Sequence, residues 1–211
     1  MLFDFSKLES QLQYRLLTST IVPRPIAWVV SMNAAGRTNA APFSFFNMFS
    51  EAPPIIGIGV NAKPEGVPKD TARNIIETGT FTVNMVSEET MQAMNITAAD
   101  FPPDVSEIDA AGIATTPSQT IAVPRIAASP VAFECRLTQA VELSPLRYLI
   151  LGQVLAAHVR DADVLDAATC KVNTPALHLV GRMHGRGFYT RTNSDLIEMD
   201  RISYKDFLAR G

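Results

Sequence analysis

Four short segments of this chain carry residues whose types and spacing suit chemistry. The first is Lys69-Asp70-Thr71-x-x-Asn74, at the start of a helical pattern. Free backbone N–H groups at a helix start bear partial positive charge; Lys69 and Thr71 add a cation and a hydroxyl donor, a set suited to a phosphate dianion. A capped surface helix with an exposed lysine is the plainer alternative. The second is Ile21-Val-Pro-Arg-Pro-Ile-Ala-Trp28, where prolines on both sides of Arg24 fix the backbone that presents a guanidinium fork. The third is Asn39-Ala-Ala-Pro-Phe-Ser-Phe-Phe-Asn47. Its small residues would let a flat ring lie against the backbone while Ser44 and Asn47 hydrogen-bond the ring edge; a core strand with three phenylalanines fits the same letters. The fourth, Gly181-Arg-Met-His-Gly-Arg-Gly-Phe-Tyr-Thr-Arg191, sets His184 between Arg182, Arg186 and Tyr189, a cationic and aromatic patch fit for an anionic cofactor or for solvent.

No paired carboxylates, no Ser/His/Asp order and no activated cysteine accompany these segments. The two cysteines have no CxxC spacing and the three histidines no HxxxH spacing, so no metal site is expected. GxGxxG and GxxxxGK[ST] loops are absent as well. Chemistry in this chain is therefore expected to be carried by a cofactor.

The elements that must position these residues are mostly strands. Ile26–Ser31 is a β-branched run, Asn33–Arg37 a turn, and Thr38 resumes an extended pattern, together a hairpin. Ile55–Val60 follows Pro53-Pro54, and its Gly57 and Gly59 leave one face bare for a ligand or another backbone. Asp70 as N-cap and Gly79 as stop bound a helix of about two turns. Phe81–Val86 alternates with period two, and Ser87 opens a second helix. The proline-rich stretch Phe101–Pro124, with a helical piece near Val105–Ala111, is expected to run over the surface. Val131–Leu137 and Tyr148–Val159, joined at Ser144-Pro145, form a long antiparallel hairpin, and Phe188-Tyr189 a short closing strand. Many hairpins and few short helices predict a mainly β fold, a closed or partly open antiparallel barrel.

At 211 residues the chain is expected to be a single domain burying roughly 70% of its open-chain surface. A net charge of −3 gives no electrostatic footprint for nucleic acid or an anionic membrane. No signal peptide or membrane span is read, so a cytoplasmic protein is expected. Charged residues make up only 18% of the chain, below the usual share, so part of the surface is expected to face a subunit or a ligand.

In this order, Arg24-Pro-Ile-Ala-Trp-Val-Val-Ser, Asn39-x-Ala-Pro-Phe-Ser-Phe-Phe-Asn47, Pro53-Pro54, Lys69-Asp70-Thr71-x-x-Asn74, Phe81-x-Val-Asn84 and the closing Gly-Arg-Met-His-Gly-x-Gly-x-Tyr-x-Arg-Thr run resemble the flavin reductase-like FMN-binding split-barrel family. The resemblance spans about residues 16–192, with 193–211 as a tail. It implies a six-stranded antiparallel Greek-key split β-barrel that forms a homodimer with FMN near the subunit interface. It implies that Asn39, Ala41, Pro42, Ser44 and Phe45 line the flavin, with Asn47 at the end of the same motif. Lys69, Thr71 and Asn74 would lie near the ribityl phosphate, with Asp70 in the same motif and Arg24 beside it, while His184 and Tyr189 would cover the flavin. The activity implied is hydride transfer from NAD(P)H to flavin and on to an acceptor, including a partner monooxygenase. A flavin carrier without nicotinamide turnover is the alternative, and a cofactor-free scaffold protein a third.

Overall fold

The computed structural model describes residues 1–63, 66–102 and 105–208. Its strands are β1 (Ala27–Met32), β2 (Thr38–Phe43), β3 (Phe46–Glu51), β4 (Pro54–Val60), β5 (Thr80–Met85), β6 (Val131–Ser144), β7 (Arg147–Val159), β8 (Val180–Arg182) and β9 (Tyr189–Arg191), with two further short strand pairs. The helices that bear on the site are α1 (Ser10–Thr20), α2 (Asp70–Thr78), α3 (Met91–Ile96) and α4 (Glu107–Ala110).

The first seven strands form one antiparallel sheet in the order β2-β1-β5-β6-β7-β4-β3. Its two edge strands, β2 and β3, are joined by only Ser44 and Phe45. Laid flat, a sheet of seven strands would hold its edges roughly 29 Å apart. The link from Phe43 to Phe46 reaches at most about 11 Å. The sheet must therefore curl until its edges meet, and bulges near Cys135 and Leu137 in β6 help it bend. No ladder joins β2 to β3 among the described residues, so the curl is a barrel with a split. The sheet carries seven strands where six were expected, because the chain kinks at Ser44–Phe45 and Phe46–Glu51 pairs with β4 as a strand of its own.

Ala27 to Ser31 of β1 are all buried, although a strand alternates its side chains between two faces. Ala27 and Val29 point into the barrel with Ile58, Ile75, Phe81 and Ile150. Trp28 and Val30 point outward, into a second apolar cluster with Met94, Ile108, Val123, Ile126 and Val180. The Phe101–Pro124 excursion runs over the surface as expected, with α4 as its helical piece, and Ile108 and Val123 anchor it on this outward face as an outer layer; residues 103 and 104 lie outside the described residues. It is pinned by Glu134, fully buried on β6, whose carboxylate accepts from the backbone N–H groups of Gln119 and Thr120 and the Thr120 hydroxyl, and pairs with His158 at 2.6 Å.

The bare face of β4 is filled from within the chain. A Cβ on Gly59 would stand 2.9 Å from the Phe45 Cβ, and the Gly59 N–H donates to the Phe45 carbonyl at 2.7 Å. The glycine serves a close backbone approach rather than a ligand. Helix α2 seals one end of the barrel, since Ala72 and Ile75 lie one turn apart and belong to the interior cluster. It ends on Gly79 in the left-handed region (φ 76°), as expected. Its N-cap is Lys69, one residue before the expected Asp70, whose carboxylate is engaged by Lys63 and Arg73 instead. The second helix, α3, starts at Met91 rather than at Ser87, because the Thr90 hydroxyl accepts from the Ser87 N–H and holds that segment as a turn.

Candidate functional site

Two clefts meet at the kink between β2 and β3. One runs from Lys63, Lys69 and Thr71 past Asn39 to Ala41, Pro42 and Phe43, with Ala98, Asp100 and Glu107 opposite. The other runs from Pro42, Phe43 and Ser44 to Arg182, Arg186 and Tyr189. Pro42, Phe43 and Ala98 line both, so together they make one groove with a cation at each end. Along β2, the Pro42 ring and the backbone at Ala41, whose side chain packs into the barrel beside Val29, form a wall of small residues in the middle of the groove.

The Lys69 end is built by the first turn of α2. Lys69 makes no side-chain cap bond, so neither its own side chain nor a capping box satisfies the N–H groups that open the helix. Asp70 turns back to bind Lys63 Nζ at 2.7 Å and Arg73; burial raises its pKa, but these two cations outweigh it and hold the carboxyl below its usual range. Lys69 Nζ stands 4.0 Å from Asp100 and remains partly exposed. Thr71 is buried, with its hydroxyl at 3.0 Å from the Asn39 amide.

At the other end, Arg182 lies over the Tyr189 ring, 4.8 Å from its centroid, and donates to the Gly185 carbonyl. The hairpin of β8 and β9 is tied to the chain before β1 by Arg24 N to Arg182 O (3.0 Å) and Arg182 N to Arg24 O (2.8 Å).

Of the expected site residues, the groove gathers Asn39, Ala41, Pro42, Ser44, Lys69, Asp70, Thr71 and Tyr189. Five others stand apart from it. Arg24 is buried, and its guanidinium donates to the carbonyls of Thr18 (2.7 Å), Ile21 (2.9 Å) and Met183 (3.0 Å), with Nε to Ser44 Oγ at 3.3 Å. It closes the C-terminal end of α1, where a cation is favoured, instead of presenting a free fork. Phe45 packs on Tyr14, with ring centroids 6.2 Å apart, and on Gly59. Asn47 is exposed on β3, its oxygen accepting from Met48 N. Asn74 is buried beneath α2, donating to Ser31 Oγ at 3.3 Å. His184 is exposed at the tip of its hairpin, stacked on Phe188.

Three groove residues carried no local signal: Lys63, Asp100 and Glu107. Glu107 opens α4 behind a capping serine, Ser106, and only tertiary packing brings it to Ala40, whose N–H donates to its Oε2 at 3.2 Å. Burial pushes the Glu107 carboxyl up, and the nearby Asp70 charge adds to this, against the Ala40 N–H and Lys63. Cys135 lies inside the barrel, where burial raises its thiol far out of the reactive range.

The fold is mainly β with short helices, a split barrel with a groove along its kinked edge. Residues 18–185 match the flavin reductase like domain, and the chain belongs to that family. Among solved structures it is similar to 2-nitrobenzoate 2-nitroreductase of Pseudomonas fluorescens, with 36% identity, a TM-score of 0.87, and 97% of this chain and 98% of that one covered. It is also similar to nitrilotriacetate monooxygenase component B from Bacillus cereus, with 33% identity, a TM-score of 0.85, and 96% and 98% covered. A split barrel domain protein of Shewanella frigidimarina shares the fold at 20% identity, with a TM-score of 0.78 and 97% and 99% covered.

Proposed function

We propose that the chain is a single FMN-binding domain, an NAD(P)H-dependent flavin reductase that works as a cytoplasmic homodimer and hands electrons to a small acceptor or a partner monooxygenase. The observation that carries this reading is the groove itself: an uncapped helix start with Lys69, Lys63 and Thr71 at one end, and a wall of small residues at Ala41 and Pro42 beyond it. Such a donor set fits a phosphate, and the wall fits an aromatic ring laid flat against the backbone. The family and its relatives support the same reading. One similar protein is named a nitroreductase and another a monooxygenase component, both compatible with electrons leaving through a flavin.

Bound in the groove, the flavin would supply the redox chemistry, taking a hydride from the reduced nicotinamide and releasing electrons to the acceptor. The protein's own work is then binding and orientation. The first N–H groups of α2 and the Lys69 ammonium hold the phosphate, Asp70 keeps Lys63 at the groove wall, and Asn39 and Ser44 offer hydrogen bonds along β2. Among the described residues no helix is long and apolar enough to cross a membrane.

Equilibrium titration of the apo-protein with FMN and with riboflavin tests the assignment. FMN binds more tightly by about tenfold or more, since two charge-assisted hydrogen bonds depend on its phosphate. Equal affinities would remove the phosphate from this end of the groove.

A further inference from the structure

The arginine end of the groove has no part in holding the flavin phosphate, yet its loop is firmly built. Between β8 and β9 the Met183 N–H donates to the Phe188 carbonyl at 2.9 Å and closes the turn. Buried Arg24 grips the first residue of that turn, donating to the Met183 carbonyl at 3.0 Å. The Arg182 guanidinium reaches across to the Gly185 carbonyl at 3.2 Å while resting on the Tyr189 ring. Arg186, at the tip, is different. It lines the cleft but makes no hydrogen bond or ion pair among the described residues.

A guanidinium with no protein partner beside a cleft keeps its whole fork for an incoming anion. No carboxylate lines this cleft, whereas Asp70, Asp100 and Glu107 answer Lys63 and Lys69 at the other end of the groove. A second anion entering the groove is therefore drawn to Arg182 and Arg186. Beside these arginines the lining is largely apolar, with Ile26, Phe43, Met94 and the Tyr189 ring. Apart from Tyr189, only Ser44 and Asn95 add uncharged polar side chains, and Ser44 already accepts from Arg24. The pyrophosphate and ribose hydroxyls of a dinucleotide call for more polar partners than that. A compact ring with one carboxylate matches better, its ring on the apolar wall and its charge toward the fork.

We propose that this end of the groove is the site of a second ligand, a small aromatic carboxylate, and that Arg186 pairs with its charge. The proposal rests on the flavin reading above and deepens it by naming the class of small acceptor. Pro42 and Phe43 line both clefts, so a ring bound beside the arginines abuts the wall assigned to the flavin ring. Arg182 holds the loop in place, and Arg186 reads the ligand.

Calorimetric titration of the FMN-loaded protein with benzoate and with benzamide, its neutral counterpart, tests the site. Wild type binds benzoate more tightly by about tenfold or more, because a charge-assisted pair replaces a neutral contact. Arg186→Gln, on an exposed loop, removes that preference and leaves the benzamide affinity unchanged. Arg186→Lys restores part of it, since a point charge returns without the fork. Equal or undetectable affinities in wild type, or a preference that survives Arg186→Gln, would overturn the assignment. If Arg186→Gln instead weakens NAD⁺ binding and spares benzoate, the arginine serves the pyrophosphate of the donor and the proposal falls. Failure of the flavin reading looks different: the chain takes up no FMN, and a benzoate preference seen on the apo-protein then marks a site without an acceptor role, which overturns that role.

Discussion

Lys69 and Thr71 differ in how much of their setting the chain reveals locally. Both sit within one turn of a helix start, so their chemistry follows from spacing alone, and Lys69→Ala is predicted to weaken FMN binding by about 1–3 kcal/mol. Titration of the folded variant checks this, and an unchanged affinity would make α2 an ordinary helix. Arg24 shows the opposite case. Its flanking prolines suggest presentation to a ligand, but its donors end on Thr18, Ile21 and Met183, the last of them 159 residues further along the chain. Arg24→Lys keeps the charge and loses the fork. It is predicted to lower stability by about 1–3 kcal/mol in denaturant unfolding while leaving the FMN affinity of the folded protein within about threefold. A large affinity loss at full stability would restore Arg24 to the phosphate. Lys63 and Glu107 could not be found by spacing at all, since sequence proximity ties neither to the residues it touches across the groove.

At the scale of elements, punctuation was legible and burial was not. The Asn33–Arg37 turn, the β6–β7 hairpin and the Gly79 stop of α2 are local devices, and each stands where the residues indicate. Helix α1 carries no core-facing stripe in its sequence because none of its residues is buried. The prolines of the 101–124 excursion indicate its path over the surface, but not the two points, Ile108 and Val123, at which it is anchored on Trp28 and Val30. Glu134 is the polar pin of that layer, its pKa lowered to about 2 as hydrogen bonds from Thr120, Gln119 and His158 outweigh burial. A carboxyl depressed in the folded state stabilises fully above its unfolded pKa, about 4.5, and its contribution fades as pH falls through about 2. The contribution is on the order of 3–4 kcal/mol, from roughly 1.4 kcal/mol per unit. Glu134→Gln is therefore predicted to flatten the acid limb of the stability profile and to lower stability at neutral pH. A profile identical to wild type would show that the pin is elsewhere.

For the molecule as a whole, the run of hairpins set the expectation of a closed or partly open barrel, the resemblance added its six-stranded split form, and the two-residue link between edge strands explains why the seven-stranded sheet must curl. The low charge content has a visible counterpart in exposed apolar side chains, with Met48 and Phe49 on the edge strand β3 and Leu196, Ile197 and Met199 in the tail. An open edge strand with apolar side chains is a surface that another chain would cover. Sedimentation of the holo-protein at micromolar concentration is predicted to give twice the monomer mass, and Met48→Lys to shift the balance toward monomer. A monomer in wild type would contradict the dimer without touching the flavin site.

The central claim is that a flavin held in this groove takes electrons from a reduced nicotinamide. It is tested most directly by adding NADH, and separately NADPH, to the FMN-loaded protein without oxygen while following the visible flavin band. The account predicts one FMN per chain and a band that bleaches with at least one donor. A loaded protein whose band persists with both donors would contradict it.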